Sequence, residues 1–126
     1  MIDDFSLPPT VIRILILGDK NEQFTIDFGE GDIGLSELIK ALETNSVNLG
    51  LYVNFKITKV HRSTGTNSDK MNFRFDVPTH FNPKDYDEIW FFGMSRFKSP
   101  LSLGKEELKI ISQFMDNGGG VFATGD

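Results

Sequence analysis

An α/β fold built on a parallel sheet is what this sequence predicts, and three stretches carry the prediction. Residues 87–126 run as a buried strand (IWFF, 89–92), a helix and a second buried strand (VFA, 121–123), one complete βαβ unit. Residues 11–17, VIRILIL, form another apolar run, broken only by Arg13; such runs belong to strands covered on both faces. Between them, Leu51, Val53, Phe55 and Ile57 alternate with polar residues, the period of a half-covered strand.

In chain order, the first ten residues include Leu7-Pro8-Pro9, a stiff extended lead-in. The strand 11–17 follows, with Arg13 toward a surface end and Gly18-Asp19 closing it. Residues 20–32 are long for a strand-to-helix connection; alternating Phe24, Ile26 and Phe28 predict a short edge strand or a flap there. Of the twelve phenylalanines, Phe24 and Phe28 are expected to be exposed and the others to pack the core. Leu35, Leu38, Ile39 and Leu42 predict a short amphipathic helix ending near Thr44-Asn45. A turn-rich segment, 64–69, then leads to Phe73, Phe75 and Val77. This second alternating run either pairs with the strand at 51–57 as a ribbon or lies across the sheet edge. Asn82-Pro83 reads as a turn or a short helical start.

In the final unit Ser102 is the expected N-cap, and Glu106 and Glu107 sit where the helix dipole favours negative charge. Leu108, Ile111, Phe114 and Met115 mark the expected apolar face. Asp116-Asn117-Gly118 stops the helix, because glycine accepts the left-handed conformation of a C-terminal cap. A strand, helix and strand in one sheet close as a right-handed parallel crossover. Nothing divides the chain, so residues 1–126 read as one domain.

Composition narrows the function classes. Thirteen basic against eighteen acidic residues give a net charge of −5, which disfavours nucleic acid or an anionic membrane as partner. The absence of cysteine excludes disulfides, thiolate metal sites and cysteine nucleophiles within this chain. An acidic start (Met1-Ile2-Asp3-Asp4) and the lack of a long apolar run point to a cytoplasmic domain.

Tyr86-Asp87-Glu88-Ile89-Trp90-Phe91-Phe92-Gly93, the helix beginning Leu101-Ser102, and Asn117-Gly118-Gly119-Gly120-Val121-Phe122-Ala123 together resemble the class I glutamine amidotransferase-like superfamily, particularly its ThuA-like branch. The resemblance is clearest over residues 84–126 and weaker over 11–45. It implies a flavodoxin-like three-layer sandwich with a mainly parallel sheet of order 2-1-3-4. Catalytic amidotransferases place a nucleophilic cysteine after the glycine run, with histidine and glutamate further on. Here that neighbourhood is Thr124-Gly125-Asp126, so amidotransferase chemistry is not expected. The sheet reads as incomplete at the C-terminus, as in the N-terminal part of a larger domain. The expected function is a non-catalytic ligand- or protein-binding domain. The alternative is the N-terminal part of a ThuA-like hydrolase or sugar-metabolism enzyme whose catalytic residues lie beyond 126.

Open α/β sheets bind ligands beyond the carboxyl ends of the strands, where the strand order reverses. Under order 2-1-3-4 that crevice lies between Gly18-Asp19-Lys20-Asn21 and Gly93-Met94-Ser95-Arg96. The candidate ligand-binding residues are Asp19, Lys20, Ser95, Arg96, Thr124 and Asp126. Arg96, with Lys98 near it, supplies positive charge for a small anion and Ser95 a donor; the plain alternative is an ordinary set of surface loops. Asp19 and Asp126 as a metal or acid/base pair offer too few oxygens for a hard cation, and the simpler reading makes Asp19 a turn cap. A phosphoacceptor domain needs a carboxylate after the third strand, where this chain has Gly93-Met94. Gly118-Gly119-Gly120 follows a helix, whereas a phosphate loop precedes one. His61 and His80 are isolated and read as surface or turn residues. No motif specifies a cofactor or a metal. Residues 120–124, an uncharged edge strand without proline, are expected to self-associate or to meet a second polypeptide.

Overall fold

The computed structural model describes residues 10–20, 25–30, 34–48, 53–92 and 103–123. Four parallel strands form the sheet: β1 (Thr10–Lys20), β3 (Val53–His61), β4 (Glu88–Phe91) and β5 (Gly120–Ala123). β1 pairs with β3 on one side and β4 on the other, and β5 pairs with β4. Numbered among themselves, the parallel strands run 2-1-3-4, the flavodoxin-like order. A two-residue strand, β2 (Thr25–Ile26), turns back antiparallel on the carboxyl end of β1. The expected edge strand around Ile26 is therefore present, and β1 itself continues through Gly18 and Asp19 rather than closing there.

Both faces of β1 are buried, which is why its sequence lacks polar alternation. Ile14 and Ile16 point to one face, where Phe28 and Ile39 complete a core with α1 (Ser36–Asn48). Leu15 and Leu17 point to the other, joined by Val60, Ile89 and Phe91 under α2 (Lys105–Asp116). Phe28 is buried, contrary to the exposure expected for it, because β2 folds the chain back and drops its ring between α1 and the sheet. The expected exposure of Phe24 lies outside the described residues.

The link from β3 to β4 departs from the sequence reading. Residues 73–77 form neither a ribbon with β3 nor an edge strand. The segment 62–82 is a run of turns held by scattered backbone bonds, Phe73 N to His61 O (2.9 Å) and His80 N to Val77 O (2.8 Å) among them. Its alternating phenylalanines point inward, and Phe73, Phe75 and Phe81 pack as a ring cluster on the sheet beside Ile111 and Phe114. Aromatic rings thus cover this part of the face, where a regular α/β crossover would use a helix.

α2 buries only part of the face expected of it, Ile111 and Phe114. Glu107, Ile111 and Phe114 are buried, whereas Leu108 and Met115 lie exposed. Gly104, not Ser102, is the N-cap, and its N–H donates to the Glu107 carboxylate (3.2 Å). Ser102 lies outside the described residues. The helix stop is as expected. Gly118 takes φ +96°, and the Gly119 and Gly118 N–H groups donate to Phe114 O (2.9 Å) and Met115 O (3.0 Å), a Schellman closure. At the amino ends of β1 and β4, Arg13 forks onto Asp87 (3.1 and 3.2 Å) and fixes their register.

Candidate functional site at the strand carboxyl ends

The parallel strands carry polar residues to their carboxyl ends. β1 ends in Gly18-Asp19-Lys20 and β3 in His61, with Gly18 in register with His61. Asp19 is 2% exposed and His61 0%. Burial at this level is unusual for aspartate and costs free energy unless the group is satisfied. Asp19 is thus a buried strand residue rather than the turn cap expected of it, and His61 is no surface histidine.

His61 is tightly housed. A side-chain carbon added at Gly65 would stand 2.4 Å from its Cδ2, and one at Gly18 3.1 Å from the same atom and 2.5 Å from Ile26 O. Glycine at 65 leaves room for the ring, and glycine at 18 leaves room for the Ile26 carbonyl that β2 brings over it. The Ser63 N–H donates to His61 Nδ1 (2.9 Å), which assigns the proton of the neutral ring to Nε2. Among the described residues no acceptor meets strict hydrogen-bond geometry at Nε2, though the carboxylates of Asp19 and Asp27 and the carbonyls of Asp19 and Ile26 act on the ring.

Burial dominates and holds the His61 imidazole below its ordinary 6.5, with Asp19 and Asp27 partly opposing it. Since the unfolded chain then binds the proton more readily, this contribution is full above pH 6.5 and is lost as pH falls below it through the lower folded value. Asp27 closes the rim: its Oδ1 accepts from Gly29 N (2.8 Å) and its Oδ2 from Thr66 N (3.3 Å). The turn at 63–66 is thereby tied to the loop entering α1, and Phe28 N donates to Thr66 O (3.2 Å).

Next to His61 in sequence, Arg62 turns to the opposite face and meets Glu107. Both Glu107 oxygens accept from the Arg62 guanidinium, and Phe75 N (3.0 Å) and Gly104 N add two more donors. Burial alone would raise the Glu107 carboxyl, but the Arg62 bonds and the two backbone donors outweigh it and hold it below its ordinary 4.5. This pair is structural: it ties the end of β3 and the 73–75 segment to the first turn of α2.

Of the predicted site residues, Asp19 and the backbone of Lys20 are at the carboxyl end of β1, as expected. Ser95, Arg96, Thr124 and Asp126 lie outside the described residues. His61 and Asp27 were missed. A histidine ending one strand opposite a glycine, with a second glycine four residues on, was the available signal. His80 sits in a turn, its Nδ1 accepting from Arg74 N (3.2 Å) and its ring stacked on Phe73. No group of three or more His, Asp or Glu able to hold a metal ion occurs among the described residues. Nor is any described helix long and apolar enough to cross a membrane.

A separate cleft of about 420 Å³ opens at the opposite, amino-terminal end of the sheet, lined by Arg13, Lys84, Tyr86, Phe114 and Gly118 among others. Its volume is in the range of small-molecule sites, but its position is contrary to the strand-end rule. The Arg13 guanidinium there is already engaged by Asp87 and the Lys84 carbonyl. We therefore place the candidate site at the carboxyl ends. Comparison of the chain with protein-family models, curated proteins and solved structures returns no match.

Proposed function

We propose that the chain is a non-catalytic ligand-binding domain on an amidotransferase-like scaffold, taking a small anionic ligand beyond the carboxyl ends of β1, β3 and β4. The observation that carries this reading is the burial of two ionisable side chains, Asp19 and His61, at two adjacent strand ends, where such folds place their ligands. Asp19 and Asp27 are acidic, so they serve donor groups of the ligand. The proposal assigns the positive charge to Lys20 and Arg96 and a donor to Ser95, with Thr124 and Asp126 as further candidate ligand residues.

A thermal-shift screen of phosphate, sulfate and small carboxylates tests it. A ligand at about 100 times its Kd adds about 2.7 kcal/mol, a rise of several degrees in Tm. Arg96→Ala abolishes that rise with the fold intact. No shift with any anion on the unaltered chain overturns the reading.

The second reading is an enzyme of the ThuA-like kind completed by residues beyond 126. A carboxylate and a neutral imidazole at neighbouring strand ends favour it, since such groups can accept and donate a proton.

A protein partner at the β5 edge belongs to the same proposal. β5 pairs only with β4 among the described residues, and its four residues are all exposed. Phe122, 50% exposed, packs with Trp90 and Phe92 on the face shared with α1. An unguarded edge of this kind pairs with another strand. Light scattering over a dilution series is expected to show concentration-dependent association that Phe122→Lys disperses. A cooperatively melting monomer at every concentration refutes it.

A further inference from the structure

We infer that His61 is a pH-sensitive latch that holds the 63–66 turn against the carboxyl ends of β1 and β3 while neutral and releases it when protonated. The latch is a property of the fold and holds whether or not a ligand binds.

Three observations carry it. Nδ1 of His61 accepts the Ser63 N–H (2.9 Å), so a neutral ring has its proton on Nε2. A second proton must therefore go to Nδ1, which removes the acceptor and sets two N–H groups face to face. Second, the ring cannot move to relieve this, because Gly18 and Gly65 lie against Cδ2 with no room even for a methyl group at either Cα. Third, the turn is held to the rest of the site by few other bonds. Among the described residues these are Thr66 N to Asp27 Oδ2 (3.3 Å), Phe28 N to Thr66 O (3.2 Å), Asn72 N to Ser63 O (2.8 Å) and Ser68 Oγ to Gly65 O (3.1 Å), with Arg62 N to Gly18 O (3.2 Å) just before the turn. Its own sequence, Ser63-Thr64-Gly65-Thr66, contributes no buried apolar side chain.

The charged groups around the ring set how readily it takes the proton. The carboxylates of Asp19 on β1 and Asp27 after β2 favour the charged form through space. Arg62 and Lys70, its neighbours along β3 and the bridged segment, engage Glu107 and the His80 carbonyl instead. Burial opposes protonation more strongly than the two carboxylates promote it, so the latch is closed at neutral pH and opens on the acid side of the ordinary imidazole range.

Amide hydrogen exchange of the full chain without ligand, corrected for intrinsic rates, tests the latch. Between about pH 7.5 and pH 5, protection of Ser63, Thr66 and Phe28 is expected to fall roughly tenfold, the worth of one lost hydrogen bond. Leu15 and Ile89 keep theirs. In His61→Asn the side-chain oxygen accepts from Ser63 but does not titrate, so protection there becomes independent of pH. Should that variant not fold, ring ¹⁵N shifts of the unaltered protein serve: an Nε2–H tautomer at neutral pH, titrating with the same midpoint as the loss of protection, supports the latch. Parallel loss at Leu15 and Ile89 would mean global acid unfolding and overturns it. So does a ring that titrates without change at Ser63 and Thr66, or equal pH dependence in His61→Asn.

Discussion

Glu107→Ala is expected to lower the unfolding free energy by about 3–5 kcal/mol, the cost of stranding a buried charge. Arg62 is only 4% exposed at its side chain, and its bond to Phe73 O (3.0 Å) does not supply a countercharge when the carboxylate goes. The N–H groups of Phe75 and Gly104 lose their acceptor at the same time. Replacing both partners, Arg62→Met with Glu107→Leu, restores much of the loss, because no charge is then left buried. Urea denaturation measures both, and a single-variant loss below about 1 kcal/mol contradicts this account of the pair. The same carboxylate gives an acid dependence. Its folded value lies below the ordinary 4.5, so its contribution is complete above pH 4.5 and disappears as pH falls through the folded value.

The second large effect is expected from Phe75→Ala, at about 3–5 kcal/mol. Phe75 stands edge-on to Phe73 (5.0 Å) and to Phe81 (5.0 Å), and its ring centre is 5.8 Å from that of Phe91 on β4. A segment of turns cannot collapse onto the hole as a regular helix might slide, so most of the cavity should persist. Leu108→Ala, at an exposed position of α2, serves as the comparison and should change stability by no more than about 0.5 kcal/mol. Equal effects at the two positions, measured by urea denaturation, would restore the apolar face of α2 that its leucine and methionine spacing predicts.

These two positions also mark where the sequence stopped being informative. The parallel strands were legible because β1 and β4 are apolar on both faces, and the end of α2 because Asn-Gly-Gly allows one closure. The buried face of α2 was legible only in part. Of the expected Leu108, Ile111, Phe114 and Met115, the middle two are buried, but the face is turned toward Glu107, whose partner Arg62 lies 45 residues away. Phe73, Phe75 and Val77 carry the period of a strand, yet a turn-rich segment that drops alternate rings into a core has that period too. At the candidate site, Asp19 was legible from the strand-end rule, while His61 looked isolated. Its surroundings, Gly18, Gly65 and Asp27, come from three separate segments and meet only once β2 folds back.

The working end of the sheet is expected to be its carboxyl end. Titrating inorganic phosphate and acetate into ¹⁵N-labelled protein locates binding directly. The prediction is that amide shifts concentrate at Gly18, Asp19, His61 and Ser63, around the buried pair. Shifts concentrated instead at Arg13, Tyr86, Gly118 and Gly119, the lining of the amino-end cleft, would contradict it.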